Sequence, residues 1–364
     1  MPEAFARPAE ILLHGILDRA FPAAAVEVGR MERPLWRRSF GALTYEPGAR
    51  DTTDATIFDL ASLTKVIATT TLIMRAVDEG VLTLDDQVRQ RLAEWRGAER
   101  EAVTVRDILA HSSGLPAYLP FFRDHTGRVE FEPAICHTPL EYSPGTQSTY
   151  SDLGFILLGF MLEDAGALQT RAAGRFDPAT TFAARFRRIA TFLTQEPLAF
   201  SPPRQWRERS APTEVDPWRG RLLIGEVHDE NTWALGGAAG HAGLFGTASA
   251  VGAFARAALR TLAGENLLAQ PATFREFIRR TTVPGSSRAL GWDTMLPTSS
   301  CGTRMSATAI GHTGFTGTSL WIDWERDLYV VLLTNRVNPT RENNRLKAIR
   351  PAFHDAVVEE ADHL

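Results

Sequence analysis

Cysteine is almost absent from this sequence: Cys136 and Cys301 are the only two, far apart and outside any C-x-x-C spacing. That argues against a disulfide scaffold or a thiolate zinc site and leaves at most one bridge open. Lysine is nearly missing too, since Lys65 is the only one in the first 300 residues of a chain that otherwise uses arginine. No apolar run approaches the length needed to span a bilayer. Met1 to His14 mixes Glu3, Arg7 and Glu10 among its apolar residues. No continuous leader-like stretch is visible there, so the expected compartment is the cytoplasm, or the periplasm if a leader has been removed. A net charge of −4 provides no global basic field for nucleic acid. The arginine clusters at Arg37-Arg38, Arg185 to Arg188 and Arg204 to Arg209 are local and read as solvated surface.

What is present is core-forming. The 364 residues are 44% hydrophobic and 23% charged, as in a soluble globular protein of roughly two domains. A helix is expected over about Pro8 to Arg19, then strands over Ala24 to Gly29 and Leu35 to Tyr45. Leu63, Val66, Ile67, Thr70, Ile73, Met74 and Val77 recur at three- and four-residue steps before Gly80, predicting a helix apolar on more than one face. Shorter helices are expected near Val105 to Ala110, Gly154 to Gly166 and Thr181 to Leu193, with proline-punctuated loops between the first two. Apart from that last helix, the stretch from Gln169 to Trp218 has weak periodicity, many Arg and Pro residues, and no assignment. Helices over Ala248 to Leu262 and Pro271 to Arg279 come next. Strands at Thr316 to Asp323 and Leu328 to Thr334 then form a hairpin, followed by a last helix from about Asn344 to Glu360. The expected class is α/β of the α+β kind. Residues 1–60 and 236–364 form an antiparallel sheet domain flanked by helices, residues 61–235 a mainly helical one, and the active site lies in the cleft between them.

Three short motifs carry chemistry. In Ser62-Leu63-Thr64-Lys65 the serine and lysine stand three apart, on one face of a helix. Serine needs a base or a cation to become a nucleophile, and lysine, unlike arginine, can lose its proton when burial lowers its pKa. A lone S-x-x-K is a weak pattern. Here, however, the chain has placed its one early lysine inside its most apolar helix, where a charge is costly. Tyr150-Ser151-Asp152 precedes an apolar helix. The phenol can relay protons if Lys65 depresses its pKa, although Ser151 or Asp152 could also serve simply as a helix cap. His312-Thr313-Gly314 is placed at the opening of a late edge strand. There the Phe315 N–H could pair with the Ser62 N–H as an oxyanion hole.

In this order and setting, the motifs resemble the superfamily of class C β-lactamases, DD-peptidases and related serine esterases. Phe58 to Lys65, Gly80 to Asp86, His111 to Pro116, Tyr150 to Gly159 and Gly311 to Gly317 are similar to that superfamily's stretches in the same order. The resemblance covers roughly Phe58 to Gly166 and Gly236 to the C-terminus. It implies that Ser62 is acylated, that Lys65 helps activate it, and that Tyr150 passes the proton to the leaving group and activates the hydrolytic water. Ser62, Phe315, Asp152, His312, Thr313 and Gly314 would form the oxyanion hole and substrate contacts. Two positions depart from the common pattern: Asp152 where asparagine is more frequent, and His312 where lysine is. Asp152 should hold Lys65 protonated, and His312 removes a permanent positive charge; both make efficient antibiotic hydrolysis a poorer expectation.

Gly225 to Asn231, Leu235 to Gly237 and Gly240 to Phe245 resemble a branch related to DD-carboxypeptidases and muramyl-peptide amidases. His228 and Asn231 are expected to line the cleft. His228, Asp229, Glu230 and His241 also suggest a metal set, but they match no H-E-x-x-H pattern, and neither metal nor cofactor is expected. The expected activity is serine hydrolysis, through an acyl-enzyme, of a small amide or ester, with a peptidoglycan fragment as substrate. A carboxylesterase on the same fold, with weak β-lactamase activity, and a non-catalytic penicillin-binding sensor are the alternatives. No nucleic-acid partner or integral membrane segment is expected, and the oligomeric state stays open.

Overall fold

The computed structural model describes residues 4–172 and 181–364. Helix α1 (Ala6–Leu17) leads into β1 (Ala23–Gly29) and β2 (Pro34–Gly41). The second strand stops short of the expected Tyr45, because Gly41 turns with φ 72° and approaches the Pro22 carbonyl. A two-residue strand, β3 (Phe58–Asp59), precedes Ser62. The predicted long helix follows, but its first six residues, Lys65–Thr70, are wound as a π-helix before α2 (Thr71–Asp78) continues in α form.

The helical region contains α3 (Val88–Arg91), α4 (Val105–Leu109), α5 (Gly127–Cys136), α6 (Asp152–Ala172) and α7 (Phe182–Leu193). Helix α5 had no sequence expectation, since Pro133 lies inside it. Of the unassigned stretch 169–218, residues 173–180 lie outside the described residues. The rest yields the end of α6, the expected helix α7, and, without a sequence expectation, β4 (Leu198–Phe200) and β5 (Val215–Asp216), which pairs with β6 (Arg221–Leu222). The chain ends with α8 (Glu230–Ala234), β7 (Leu244–Gly246), α9 (Ala248–Leu262), α10 (Pro271–Phe277), β8 (Asp293–Thr294), β9 (Ile310–Thr313), β10 (Ser319–Asp323), β11 (Leu328–Thr334) and α11 (Leu346–Ala361).

Strands from both ends of the sequence meet in one antiparallel sheet of order β2-β1-β11-β10-β9-β8. Ala24 faces Thr334 and Gly29 faces Tyr329 across the β1–β11 seam. Side chains alternate between faces along a strand, and here both faces are covered. Val26, Val28, Val330 and Leu332 pack with Phe353 and Val357 of α11 and Leu12 of α1. Ala25, Tyr329, Val331 and Leu333 pack with Val251, Phe254 and Ala255 of α9, in a core that continues through α2 and α6. Every residue of β1, β10 and β11 is buried, which explains their continuous apolar composition.

One buried charge ties these layers together. Glu27 on β1 accepts from Arg37 on β2 (2.7 Å), Arg256 on α9 (2.7 Å) and the Tyr329 hydroxyl on β11 (2.8 Å). Gly252 must be glycine here, because a Cβ would strike the Glu27 carboxylate. Cys136 and Cys301 are buried free thiols, so no bridge forms. Among the described residues no helix is long and apolar enough to cross a membrane.

Candidate active site

A second, three-stranded sheet of order β3-β7-β4 positions Ser62. Phe58 and Asp59 pair with Gly246 and Phe245, and the Leu60 N–H extends the ladder to Leu244 O. The chain then turns sharply. Ala61 takes a left-handed φ of 47°, its N–H held by Asp59 Oδ1, and Lys65 N–H bonds to Ser62 O. Ser62 thus stands on a tight turn between a strand and a buried helix.

The expectation that His312-Thr313-Gly314 opens an edge strand needs correction. His312 and Thr313 end β9, which lies between β10 and β8, and Gly314 begins the turn to β10. That turn is packed on the serine loop: Thr316 Oγ1 donates to Asp59 O and Thr318 Oγ1 to Leu60 O. A Cβ on Gly314 would approach Leu60 O at 2.6 Å, so only glycine admits this closeness.

Tyr150 and Asp152 are held by the His111 to Ala117 loop. Ser151 N–H donates to His111 Nδ1 (3.0 Å), Ser151 Oγ to Pro116 O (2.7 Å), and Asp152 N–H to Ala117 O. Ser151 also caps α6 by accepting from Gly154 N–H. From the opposite side comes the glycine-rich stretch 236–243. Gly240 lies against the Phe155 carbonyl of α6, and its own carbonyl accepts from Thr69 Oγ1.

These elements surround Lys65, which is fully buried. Its Nζ donates to Ser62 Oγ at 3.0 Å, to Asp152 Oδ1 at 2.6 Å and to the His241 carbonyl at 3.0 Å. Three acceptors match the three donors of an ammonium. Burial works to lower the Lys65 pKa, but Asp152, and after it Tyr150, outweigh burial and leave the pKa raised. The free amine that burial alone would favour is therefore not the resting state. Tyr150 lies with its ring 4.8 Å from Nζ and interacts with Ser62. Burial pushes its phenol up, against the lowering effect of Lys65, so it rests protonated.

Two histidines flank Tyr150, with ring centroids at 4.7 Å for His111 and 5.7 Å for His312. Burial, then Arg288 and Lys65, hold both well below the ordinary histidine range, so both are neutral. The cation that His312 lacks is present nearby in Arg288, whose guanidinium lies 5.1 Å from the Tyr150 ring.

The site opens into a cleft of about 580 Å³ lined by Ser62, Tyr150, Asp152, His228, His312, Thr313, Gly314 and Phe315, a size suited to a small substrate. Lys65 lies behind it. Asn231 is not at the wall: its amide spans Phe122 N–H and Leu119 O, fastening α8 to the loop before α5. The proposed metal set is divided between separate pairs. His241 Nε2 meets Asp229 Oδ1 at 2.8 Å, His228 Nε2 meets Glu214 Oε2 at 2.9 Å, and Glu230 meets Arg341 at 2.7 Å. Among the described residues no group of His, Cys, Asp and Glu is arranged to hold a metal. Sequence reasoning missed Arg288, Arg336, Lys347 and Arg350 on the cleft wall. They come from three separate segments with no shared spacing, so only their assembly marks them.

A family model described as Beta-lactamase matches residues 7–352. A protein of Salmonella paratyphi B carrying the name "Putative D-alanyl-D-alanine carboxypeptidase" is 30% identical over 355 residues, 88% of this chain and 80% of that one. Among solved structures, EstCE1, titled "a hydrolase with promiscuous acyltransferase activity", aligns with a TM-score of 0.74 at 21% identity, over 97% of this chain and 98% of that one. An octameric penicillin-binding protein homologue from Pyrococcus abyssi aligns with a TM-score of 0.69 at 20% identity, over 94% of this chain and 76% of that one.

Proposed function

The chain belongs to the beta-lactamase family, and from that premise we propose that it hydrolyses a small amide or ester through an acyl-enzyme on Ser62, with a peptidoglycan-derived peptide as substrate. The observation that carries this reading is the Lys65 ammonium held between Ser62 Oγ, Asp152 and the His241 carbonyl. The cleft is read as the junction of a sheet unit, 1–60 with 236–364, and a helical unit, 61–235.

In this mechanism Ser62 Oγ attacks the acyl carbon as Lys65 passes a proton to Asp152 and takes up the serine proton. The oxyanion forms between the Ser62 and Phe315 N–H groups, which stabilise charge that only the transition state carries. Tyr150, protonated at rest, gives its proton to the leaving group and is refilled from Lys65, which recovers its own from Asp152. The proton lost by Ser62 is thus the one gained overall by the leaving group. Water then attacks the ester with Tyr150 in the reverse role. A base relayed through a buried ion pair suits a site where the free amine is disfavoured.

Intact-mass spectrometry after treatment with a penicillin or an organophosphonate tests the reading. One adduct, mapped to Ser62 and lost in Ser62→Ala, is expected; full activity in Ser62→Ala would end it. A second reading, a carboxylesterase using the same residues, is favoured by the neutral His312, which leaves no cation at that strand position for a carboxylate-bearing peptide. Comparing kcat/KM for D-Ala-D-Ala peptides, muropeptides and nitrophenyl acetate separates the two, since genuine specificity gives a large ratio. Stable acylation without turnover would instead favour a sensor.

A further inference from the structure

Asp59, three residues before Ser62, is a buried carboxyl group held by main-chain N–H groups and not by a lysine or arginine. It is 2% exposed, yet it borders the cavity that holds Ser62. Each side-chain oxygen accepts one N–H: Oδ1 from Ala61 at 2.9 Å and Oδ2 from His228 at 2.7 Å. Its own main-chain carbonyl accepts from Thr316 Oγ1 at 2.8 Å. Burial raises the Asp59 pKa, and the His228 and Ala61 N–H groups work against that rise. A group so costly to bury is kept where its hydrogen bonds are needed.

The three ties lead to the two groups read as oxyanion donors. Ala61 comes just before Ser62 and takes its left-handed φ of 47°, a conformation that a residue with a Cβ resists. The Ala61–Ser62 peptide carries the Ser62 N–H, so a hold on Ala61 restricts the rotation that aims it. Thr316 comes just after Phe315, and its bond to Asp59 O pins the turn that carries the Phe315 N–H. His228 is the third tie. Its N–H rests on Asp59, while its ring stacks on the Phe315 ring at 5.6 Å and is anchored by Glu214 at 2.9 Å. One residue thus sets the spacing of two segments 257 residues apart. Such accuracy matters, because oxyanion donors act only within about 2.7–3.1 Å of the developing charge. A carboxyl group offers an acceptor to each N–H. Asparagine, of the same shape, offers one acceptor and would turn a donor toward the other N–H.

We propose that Asp59 is a positioning residue for the oxyanion hole, its carboxyl group holding the Ser62 side and its main-chain carbonyl the Phe315 side. It acts through these neighbours and not on the reacting atoms. The proposal rests on reading Ser62 as the acyl-transfer nucleophile and the Ser62 and Phe315 N–H groups as the hole. It makes the alignment of those donors, and not the Lys65 relay, depend on Asp59. Misaligned donors weaken transition-state binding while every catalytic side chain stays in place.

Inhibition by phenylboronic acid tests it. The boron takes Ser62 Oγ as its fourth ligand and places an oxygen between the two N–H groups, so Ki reads the hole and does not depend on the fraction of enzyme that folds. Asp59→Asn should raise Ki by about 10- to 100-fold and lower kcat/KM for nitrophenyl acetate, per active site counted by organophosphonate labelling, by a similar factor. Thr316→Val loses only the hydroxyl that donates to Asp59 O, and should raise Ki by about 3- to 10-fold. Thr316→Ser keeps that hydroxyl and should match the parent, which separates a lost hydrogen bond from a loosened core. Thr316→Val leaves the carboxyl group in place and decides alone where Asp59→Asn does not fold. If Ser62→Ala retains full turnover, the acyl-serine reading fails and the positioning role falls with it. If turnover depends on Ser62 but Ki is unchanged in Asp59→Asn or in Thr316→Val, the positioning role fails alone.

Discussion

Lys65 keeps a proton that burial alone would remove. Asp152, 2.6 Å away, is the cause, and the pair should therefore act as one unit. Replacing Asp152 with asparagine leaves burial unopposed by a full charge, so the Lys65 pKa falls. At pH 7 the variant loses the relay and should lose about 10- to 1000-fold in kcat/KM, the span of one acid–base group and its electrostatic support. The sign of its pH dependence follows: activity should recover as pH rises through the lowered Lys65 pKa, where the amine becomes a base by itself. A kcat/KM profile from acid to alkaline pH checks this, and an Asp152→Asn enzyme with the parent's rate and profile would contradict it. Lys65 was legible in the sequence because its residue type is so rare there. The protonation states were not: Lys65 does act to lower the Tyr150 pKa, but burial of the phenol is the larger effect and leaves it raised.

Glycine positions decide the geometry at the level of elements. The stretch 236–243 carries the carbonyl that holds Lys65, and it crosses α6 where Gly159 and Gly240 are in contact. Any Cβ on Gly240 meets the Phe155 carbonyl, which is fixed in a helix and cannot give way. Gly240→Ala should cost about 3 kcal/mol in a denaturant titration. It should also lower kcat by more than tenfold, since the His241 carbonyl is displaced from Nζ. Loss of stability with kcat intact would show that Lys65 is positioned without it. Helix and strand placement was largely visible from periodicity, as Leu328–Thr334 and Ala248–Leu262 show. The end of β9 was not, because Gly314 and the hydroxyls of Thr316 and Thr318 answer to the serine loop some 250 residues earlier. The six-residue π-wound start of the central helix was equally hidden, though such windings often accompany functional sites.

Across the whole molecule, β1 and β11 close the fold by joining residues about 300 apart, and Glu27 is the polar centre of that closure. Replacing it with glutamine leaves Arg37 and Arg256 facing one another without a carboxylate. A loss of about 3 kcal/mol is expected on chemical denaturation, and the acylation rate at Ser62 should change little, because Glu27 does not line the cleft. A negligible stability change would mean that solvent screens the two arginines.

The amino-acid sequence by itself determined the fold class, the longer helices with the outermost strands, and the choice of Ser62, Lys65 and Tyr150 as candidates, because hydrophobic period and residue rarity are local signals. Tertiary structure decided what depends on neighbours distant in sequence. It alone set the charge on Lys65, the neutrality of His312, the retreat of Asn231 from the cleft, and the convergence of the Ala61 and His228 N–H groups on Asp59. Burial and Coulomb interactions depend on distance through space, and the chain order does not contain that distance.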